Sequence, residues 1–459
     1  MNIAEVKSVY FVGAGGIGMS ALIRYFLSKG IKVAGYDKTP SPLTEQLNKE
    51  GADIHYEDNV AFIHNDYKDP EKTLIVYTPA VPSSHKELTY FQTEGFSVMK
   101  RAQVLGEITK AYRGLCIAGT HGKTTTSSMT AHLLKQSAVD CSAFLGGILK
   151  NYDSNLMLSD KSDFTVIEAD EFDRSFHWLN PYIAVITSAD PDHLDIYGTV
   201  EAYKESFDKF TSLIRPDGIL IMRKGINVTP NLVEGVKLYT YSANEGGDFH
   251  AENICVGNGE IHFDFVGPDI RIENINLGVP VMVNVENGIA AIAVALLTGV
   301  TPDEIKKGMS SFAGPKRRFD FVLKRDNIVL IDDYAHHPAE LRQSVLSVKE
   351  LYRGRKVTGV FQPHLYSRTK DFANEFADSL SLLDELILLD IYPAREEPIP
   401  GVTSRIIFDK VVIENKILCS HKEQLYSLLE ERDLDVVLMV GAGDIDRMVD
   451  PVKQILERK

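Results

Sequence analysis

The sequence predicts an α/β protein of three domains: a Rossmann-like N-terminal domain, a central parallel sheet of the P-loop ATPase type with a small β extension, and a C-terminal Rossmann-like domain. Three observations lead to this prediction. A chain of 459 residues is long enough for about three domains of ~150 residues each. Glycine-rich turns stand between a strand and a helix at 13–18 and 119–125. Strand–helix alternation then resumes over the last third of the chain.

The composition limits the classes of partner. The net charge is −15, which argues against nucleic-acid and acidic-membrane partners because both require a basic face. No basic, apolar leader opens the chain, and no apolar run approaches the ~20 residues of a membrane span. The four cysteines have no CxxC spacing, so we expect neither a disulfide set nor a zinc site. We therefore expect a cytoplasmic protein, a monomer or weak homodimer.

The first glycine turn lies in a predicted βαβ unit. A strand at 8–12 precedes it, and a second strand at 32–36 ends at Asp37. The pattern fits G-x-G-x-x-G and predicts a nucleotide phosphate at a helix start. An NAD-dependent dehydrogenase is one alternative, and a turn built only for tight packing is another. The turn comprises Gly13, Ala14, Gly15, Gly16, Ile17 and Gly18.

The second glycine turn predicts a phosphate cradle. It follows an apolar strand at 115–118 and precedes a helix that starts near Lys123. Backbone N–H groups, the helix N-terminus and the lysine would face the anion, and the Thr124 hydroxyl would face Mg²⁺. Only two residues separate Gly119 from Gly122, whereas a common P-loop has four. The turn comprises Gly119, Thr120, His121, Gly122, Lys123, Thr124 and Thr125.

Two further strands of the central region end in acidic clusters. One strand, 164–167, leads into Glu168 and Asp170, and the other, 183–187, leads into Asp192 and His193. Ligands of open α/β sheets bind beyond the carboxyl ends of strands, and a carboxylate or imidazole there can complete a Mg²⁺ site. We therefore predict Thr124, Glu168 and His193 as metal ligands. For Asp173, Asp190 and Asp195, a solvated loop end is the open alternative.

The chain from 247 to 278 is short and β-like, with a hairpin signal at Asn258-Gly259. Asn284 then opens an alanine-rich helix that runs to Leu297. An asparagine at this place either has a functional role or is simply the N-cap of the helix.

The third region begins at a Gly-Pro hinge followed by three cations, 316–318, one of which could face a phosphate. Asp332 to Pro338 and Gln362 to Arg368 follow predicted strands. The paired histidines at 336 and 337 cannot make a metal site alone, so we interpret them as site-lining or structural groups.

These motifs, in this order, resemble the Mur ligase family, the ATP-dependent amide-forming enzymes of bacterial peptidoglycan synthesis. The phosphate loop G-T-x-G-K-T-[ST], the acidic E-A-D-E and the D-H-[LM]-D occur at 119–125, 168–171 and 192–195. The resemblance is to the alanine-adding branch, whose further motifs occur at 13–20, 316–319, 332–338, 361–364 and 441–444.

The resemblance implies a reaction and its partners. ATP and Mg²⁺ would serve to join L-alanine to the carboxylate of UDP-N-acetylmuramate through an acyl phosphate, in the cytoplasm. It also implies domains at 1–110 for the UDP substrate, 111–314 for ATP, and 315–459 for the amino acid and for closure over ATP. A sister ligase that recycles a tripeptide onto the muramate is the alternative.

The resemblance also implies residue roles. Lys123, His193 and Arg318 would be catalytic, although His193 could instead be the base for the amine. ATP would be bound by the phosphate loop together with Asn284, Asn287, Arg318 and Asp333. The UDP substrate would be bound by Gly13, Gly15, Gly16, Ile17, Gly18, Asp37, Arg101 and His121. The amino-acid side would comprise Tyr334, His336, His364 and Arg368.

The sequence departs from the family pattern at several positions. Val283 replaces a histidine before the alanine-rich helix, and Leu365 replaces an arginine after F-Q-P-H. Ser188 and Asp190 replace an asparagine and a glutamate near the metal motif. Phe207 stands where sister ligases have a carbamylated lysine, so we predict no carbamate.

Overall fold

The computed structural model of the chain describes residues 6–192, 194–244, 246–257, 259–394 and 396–459. Three sheets of five, ten and six strands are surrounded by helices, which confirms the predicted three-domain α/β fold. By internal contacts the chain forms two compact units. The first comprises residues up to 252, 264–275 and 285–311, and the second comprises 253–263, 276–284 and 312–459.

The N-terminal sheet is fully parallel and has the strand order β3-β2-β1-β4-β5, as in a Rossmann half. Its strands are β1 (Ser8–Val12), β2 (Lys32–Tyr36), β3 (Asp53–His55), β4 (Thr73–Tyr77) and β5 (Ser97–Lys100). Its helices are α1 (Ile17–Ser28), α2 (Pro42–Lys49), α3 (Lys86–Thr93) and α4 (Arg101–Lys110).

Both faces of this sheet are covered. Along β1, Val9 and Phe11 belong to one buried cluster, whereas Tyr10 and Val12 belong to another on the opposite face. Side chains alternate across a strand, so a strand buried on both faces appears as a continuous apolar run. This is why 8–12 could be predicted as a strand.

The central sheet has the order β15-β14-β13-β12-β11-β10-β6-β9-β7-β8. The strands from β12 to β7 pair in parallel, and β8 pairs antiparallel to β7 at the edge. The strands are β6 (Arg113–Ala118), β7 (Ser142–Leu149), β8 (Ser154–Met157), β9 (Phe164–Ala169), β10 (Pro181–Ile186), β11 (Ile219–Arg223), β12 (Lys237–Ser242), β13 (Phe249–Gly257), β14 (Glu260–Gly267) and β15 (Ile270–Asn276). The helices are α5 (Lys123–Lys135), α6 (Leu194–Tyr197), α7 (Val200–Thr211), α8 (Met282–Leu297) and α9 (Pro302–Ser311).

The C-terminal sheet has the order β16-β17-β21-β18-β19-β20 and is parallel except for the β16–β17 hairpin. Its strands are β16 (Asp320–Lys324), β17 (Val329–Asp333), β18 (Val357–Phe361), β19 (Glu385–Leu389), β20 (Lys416–Cys419) and β21 (Val436–Val440). Its helices are α10 (Pro338–Leu351), α11 (Tyr366–Asp371), α12 (Ala373–Leu380), α13 (Arg405–Phe408), α14 (Lys422–Glu431) and α15 (Asp446–Leu456).

Two local predictions fare differently. Helix α8 begins at Met282, so the N-cap alternative for Asn284 is wrong, and its Nδ2 donates to the carbonyl of Val279 at 3.1 Å. Asn258, predicted to open a hairpin turn, lies outside the described residues, although β13 and β14 flank it. Within the described part of the chain, no helix has both the length and the apolar character needed to cross a bilayer.

Candidate functional site

The phosphate loop, residues 119–122, connects β6 to α5 through two left-handed glycines. Gly119 has φ +138° and Gly122 has φ +82°. A Cβ at Gly122 would lie 2.7 Å from Oδ1 of Asn287, and one at Gly119 would collide with Oγ1 of Thr187. Both the backbone conformation and the close neighbours therefore require glycine at these positions.

The segment that follows strand β10 holds the phosphate loop in shape. Thr187 Oγ1 donates to the carbonyl of His121 at 2.5 Å and to that of Ala118 at 3.1 Å. The backbone N–H of His121 donates to Oγ of Ser188 at 2.7 Å. Ser188, which replaces the asparagine of the family pattern, thus serves the loop directly. Thr120 Oγ1 donates to the carbonyl of Asp190 at 2.7 Å.

Lys123 extends its ammonium group across the loop. The Nζ atom lies 2.5 Å from the carbonyl oxygen of Gly119 and 2.8 Å from Oε2 of Glu171. Glu171 is 2% exposed, and burial raises the pKa of its carboxyl group. The lysine is therefore positioned at the start of α5, where backbone N–H groups also favour an anion.

Thr124 and Asn287 lie close to the same loop. Thr124 is buried in the first turn of α5, directly after the lysine. Thr126 Oγ1 donates to Oδ1 of Asn287 at 3.2 Å, so the asparagine supports the helix start. Thr125, in the same turn, is half-buried.

Glu168 lies at the carboxyl end of β9, next to the strand that leads into the phosphate loop. In the parallel pairing of β6 and β9 it is the partner of Ile117. Its Oε2 accepts from the N–H of Gly146 at 3.2 Å, and a Cβ at Gly146 would collide with the carboxylate. His193, the other predicted metal ligand from a strand end, lies outside the described residues. Among the residues that are described, no three His, Cys, Asp or Glu side chains form a metal-binding group.

The first glycine turn, residues 13–18, borders a cavity of about 270 Å³. Arg101 lines this cavity, and its Nη2 lies 3.3 Å from Oδ2 of Asp170. A Cβ at Gly18 would collide with the Arg101 guanidinium group, so the arginine packs on the glycine backbone. The cavity thus brings together four predicted substrate residues, Gly16, Ile17, Gly18 and Arg101. Glu168, predicted as a metal ligand, also lines it.

Asp37 is tied to the first glycine turn itself. Its Oδ2 accepts from the N–H of Gly15 at 2.6 Å, and its Oδ1 accepts from that of Thr39 at 3.2 Å. Gly13 has φ +90°, and a Cβ there would lie 2.5 Å from Cγ2 of Thr78. The aspartate therefore shapes the turn, and both oxygens of its carboxylate already accept a backbone hydrogen bond.

The four residues predicted for the amino-acid side form a chain of contacts in the C-terminal domain. The rings of Tyr334 and His336 meet edge to face with centroids 5.4 Å apart, and those of His336 and His364 at 6.1 Å. Nη1 of Arg368 lies 3.3 Å from Nδ1 of His364. Burial lowers the pKa of both histidines, so both imidazoles are neutral near pH 7.

The two arginines after the Gly-Pro hinge differ in their surroundings. Arg317, with φ +60°, donates from Nη2 to the carbonyl of Gly441 at 2.5 Å and lies over the Tyr334 ring. Arg318 is exposed. Asp333 accepts from the N–H of Phe319 at 3.3 Å and from the Ser344 hydroxyl, and burial raises its pKa. Arg317 is therefore anchored by its contacts, whereas Arg318, like Lys316, is exposed.

Two departures from the family pattern have a structural setting. Leu365 adopts φ +71°, which is strained for a bulky side chain, and its N–H donates to the carbonyl of Tyr392 at 2.9 Å. Phe207 is fully buried, in edge-to-face contact with Phe176 at 5.2 Å. A carbamylated lysine therefore has no counterpart at this position.

Sequence reasoning missed the partners that hold the predicted ligand groups. In the sequence, Glu171 is only one member of an acidic cluster, and Thr187 is only the last residue of a predicted strand. The available signal was that both follow strands next to β6, whose carboxyl end carries the phosphate loop.

Three family models match the chain in succession: "Mur ligase family, catalytic domain" at 8–113, "Mur ligase middle domain" at 117–295 and "Mur ligase, glutamate ligase domain" at 317–443. A protein of Parabacteroides distasonis named UDP-N-acetylmuramate–L-alanine ligase is 75% identical over 99% of this chain and 98% of its own length. One of the same name from Phocaeicola vulgatus is 63% identical over the full length of both.

Solved structures agree with these relatives. The crystal structure of the UDP-N-acetylmuramate–alanine ligase of Thermotoga maritima matches with a TM-score of 0.82 and 27% identity over 98% of each chain. A murein peptide ligase of Psychrobacter arcticus shares the fold, with a TM-score of 0.65 and 21% identity over 99% of each chain. The phosphate loop, the arginine-lined cavity and the three matched regions together lead to one conclusion: this chain belongs to the Mur ligase family.

Proposed function

We propose that this protein joins L-alanine to the carboxylate of UDP-N-acetylmuramate, using ATP, in peptidoglycan synthesis. The observation that carries the proposal is that one compact unit contains two glycine turns at helix starts, each with a cation beside it. One is the phosphate loop with Lys123, and the other is the first glycine turn with Arg101. Two phosphate-bearing substrates require two such sites. The relatives named for this reaction, up to 75% identical, support the same assignment.

We assign ATP to the phosphate loop. The N–H groups at the start of α5 and the Lys123 ammonium would bind the β- and γ-phosphates. His121, Thr120 and Thr125 would contact the phosphates from the loop and the first turn. Of the remaining predicted ATP residues, we assign Asn284 and Asn287 to the adenine, Arg318 to the γ-phosphate and Asp333 to the ribose.

We assign Thr124 and Glu168 as ligands of a magnesium ion. A hydroxyl and a carboxylate are oxygen ligands of the kind Mg²⁺ prefers, and the ion usually completes its shell with phosphates and water. Glu168 is adjacent to the strand that leads into the phosphate loop, which suits this role. The ion would offset negative charge on the phosphates. We keep His193 as the third proposed ligand.

We assign the sugar nucleotide to the N-terminal side of the first unit. The diphosphate would lie at the start of α1, against the backbone of the first glycine turn and the Arg101 guanidinium group. Asp37, which shapes that turn, would act by holding Gly15 in place. The L-alanine is assigned to Tyr334, His336, His364 and Arg368, where a guanidinium group is available for a carboxylate. The domain limits 1–110, 111–314 and 315–459 remain part of this proposal.

The reaction follows from these assignments. A muramate carboxylate oxygen attacks the γ-phosphorus of ATP, the bond to the bridging oxygen breaks, and ADP leaves. Lys123 and Arg318 stabilise the charge that develops on the phosphoryl oxygens. The alanine amine then attacks the acyl carbon, loses a proton, and phosphate leaves as the amide forms. The cations thus act by charge stabilisation and positioning.

The test is phosphate release from ATP with Mg²⁺ and UDP-N-acetylmuramate, across single amino acids and the free tripeptide. We expect release that requires both the sugar nucleotide and L-alanine, with leakage to serine and glycine because one methylene contributes only ~1–3 kcal/mol of discrimination. Release with the tripeptide alone would move the assignment to a recycling ligase. Absence of release with every pairing would contradict the proposal.

A further inference from the structure

Lys123 already has an acceptor for each of its three ammonium hydrogens. Its Nζ lies 2.5 Å from the Gly119 carbonyl oxygen and 3.2 Å from that of Thr120. The third acceptor is the Glu171 carboxylate, at 2.8 Å and 3.0 Å from its two oxygens. An arriving phosphate must therefore displace one of these acceptors or compete with it.

Glu171 is itself fixed in position by burial and by backbone contacts. Its side chain is 2% exposed, and its backbone carbonyl accepts from the Tyr197 hydroxyl at 2.5 Å. The chain beyond it turns through two left-handed residues, Asp173 at φ +51° and Arg174 at φ +55°. Asp173 is in turn paired with Lys100 at 2.5 Å. The carboxylate is thus presented from a backbone segment that is fixed at several points.

From this geometry we propose that Glu171 is a positioning residue for the phosphoryl-transfer step, acting through Lys123. The weakest of the three contacts, to Thr120, is the one that a phosphate oxygen replaces. Glu171 and Gly119 keep the other two hydrogens and thereby aim the third at the phosphate. This inference rests on the proposed function only in taking the phosphate to be that of ATP.

A buried carboxylate beside the lysine has two opposite effects. It lowers the positive potential that a bound nucleotide meets, so it weakens binding in the ground state. It also fixes the direction of the ammonium group, which favours the transition state. A residue of this kind reduces nucleotide affinity and increases turnover at the same time. Loss of a purely structural residue would not raise the affinity while it lowers turnover.

Glu171→Gln tests both effects, because it keeps the side-chain shape and removes the charge. Calorimetry would give the Kd of ADP and of a non-hydrolysable ATP analogue, and steady-state phosphate release would give kcat and KM. We expect nucleotide affinity to rise by about tenfold and kcat to fall by about tenfold or more. Unchanged or weaker nucleotide binding by a folded variant would overturn the proposal.

Two further variants separate charge from positioning. Tyr197→Phe keeps the carboxylate but removes the hydroxyl that holds its backbone, so kcat should fall while the Kd stays within about twofold. If Glu171→Gln does not fold, Tyr197→Phe becomes the test of the proposal. An unchanged kcat in Tyr197→Phe would overturn it. Asp163→Asn is the matched control at the opposite end of β9, where Asp163 pairs with Arg113 at 2.9 Å on the surface. Asp163→Asn should change neither kcat nor the Kd of the nucleotide.

The outcome is distinguishable from failure of the proposed function. Nucleotide affinity is measured without the sugar nucleotide or alanine. Tighter binding by Glu171→Gln in a protein that forms no amide would support the inference and reject the function. Amide formation by a protein whose nucleotide affinity does not change in Glu171→Gln would support the proposed function and reject the inference.

Discussion

Arg368 donates a hydrogen bond to Nδ1 of His364, four residues before it, at 3.3 Å. A guanidinium group has no acceptor, so the imidazole must offer a lone pair at Nδ1 and carry its proton on Nε2. Burial first, and then the charge of Arg368, lower the pKa of His364. Protonation of this histidine would break the contact that orients the arginine.

We therefore predict an acid limb in the use of alanine that lies below the ordinary histidine pKa of 6.5. The neutral imidazole is the competent form, so kcat/KM for alanine is retained above the pKa of His364 and lost as the pH falls through it. Arg368→Gln should move this limb upward and raise KM for alanine. The check is a pH profile of kcat/KM, with Arg342→Gln, an exposed arginine on α10, as the control.

Removal of the phosphate-loop lysine should abolish most of the catalysis. We expect Lys123→Ala to lower kcat by on the order of 10²–10³, as for one lost preorganised donor. Lys135→Ala is a matched control at the other end of α5, where the lysine pairs with Asp140 at 2.7 Å. Turnover by Lys123→Ala close to that of the control would contradict the assignment.

The glycine at the start of α5 should be intolerant of substitution. Gly122→Ala introduces a Cβ 2.7 Å from Asn287 Oδ1, in addition to the left-handed backbone. Gly30→Ala has only the cost of a left-handed backbone, because no atom lies within 4 Å of the added Cβ. We expect the control to lose ~1–2 kcal/mol of stability and Gly122→Ala to lose more, together with nucleotide binding. Urea unfolding and calorimetry measure both effects.

The cavity at the first glycine turn should be specific for the sugar nucleotide. Arg101→Gln removes the guanidinium group but preserves most of the side-chain length. We expect it to weaken binding of UDP-N-acetylmuramate by about tenfold or more and to leave the Kd of ADP within about twofold. Arg113→Gln, on the first unit but paired at the surface, should change neither affinity. If Arg101→Gln weakened the binding of UDP-N-acetylmuramate and of ADP equally, the proposal of two separate sites would be contradicted.

A buried histidine on α5 predicts how stability depends on pH. His132 lies 3.0 Å from the Ser311 hydroxyl and 3.1 Å from that of Tyr152. Burial lowers its pKa from 6.5 to about 4. The unfolded chain therefore binds a proton below pH 6.5 that the folded chain does not bind until about pH 4.

The contribution of neutral His132 to the free energy of unfolding is complete above pH 6.5. It decreases by ~3 kcal/mol in total as the pH falls towards 4. Urea unfolding at neutral pH and at about pH 5 should show the loss. His132→Gln should be less stable at neutral pH but should have a flatter pH dependence. A slope equal to that of the unsubstituted protein would contradict this account.

Local signals explain how much of the fold was predictable. Strand 8–12 is buried along its whole length, and the predicted strand 164–167 is the first part of β9, which runs to Ala169. Each of the two glycine turns stands between a strand and a helix. Parallel sheets place all strand ends of one direction along one edge. The proximity of Glu168 to the phosphate loop therefore followed from pattern alone.

The partners of the predicted residues were not predictable in the same way. Lys123 and Glu171 are 48 positions apart, and only the packing of β9 beside β6 brings them together. The sequence predicts Asp37 beside the UDP substrate, but it does not reveal that the carboxylate accepts from Gly15. Of the two adjacent arginines 317 and 318, the left-handed backbone of the first decides which one is anchored. Such choices depend on tertiary geometry that spacing does not encode.

The cavity beside the first glycine turn also bears on drug resistance. Its wall includes Gly18 and Gly146, and a Cβ at either position would collide with Arg101 or Glu168. An inhibitor that rests on these two stretches of bare backbone would fill space that is open because neither position carries a side chain. A small-to-large exchange at Gly18 or Gly146 would have to displace the end of the arginine or of the carboxylate that lies against it. Such an exchange would therefore rearrange the wall of the cavity as well as block the compound.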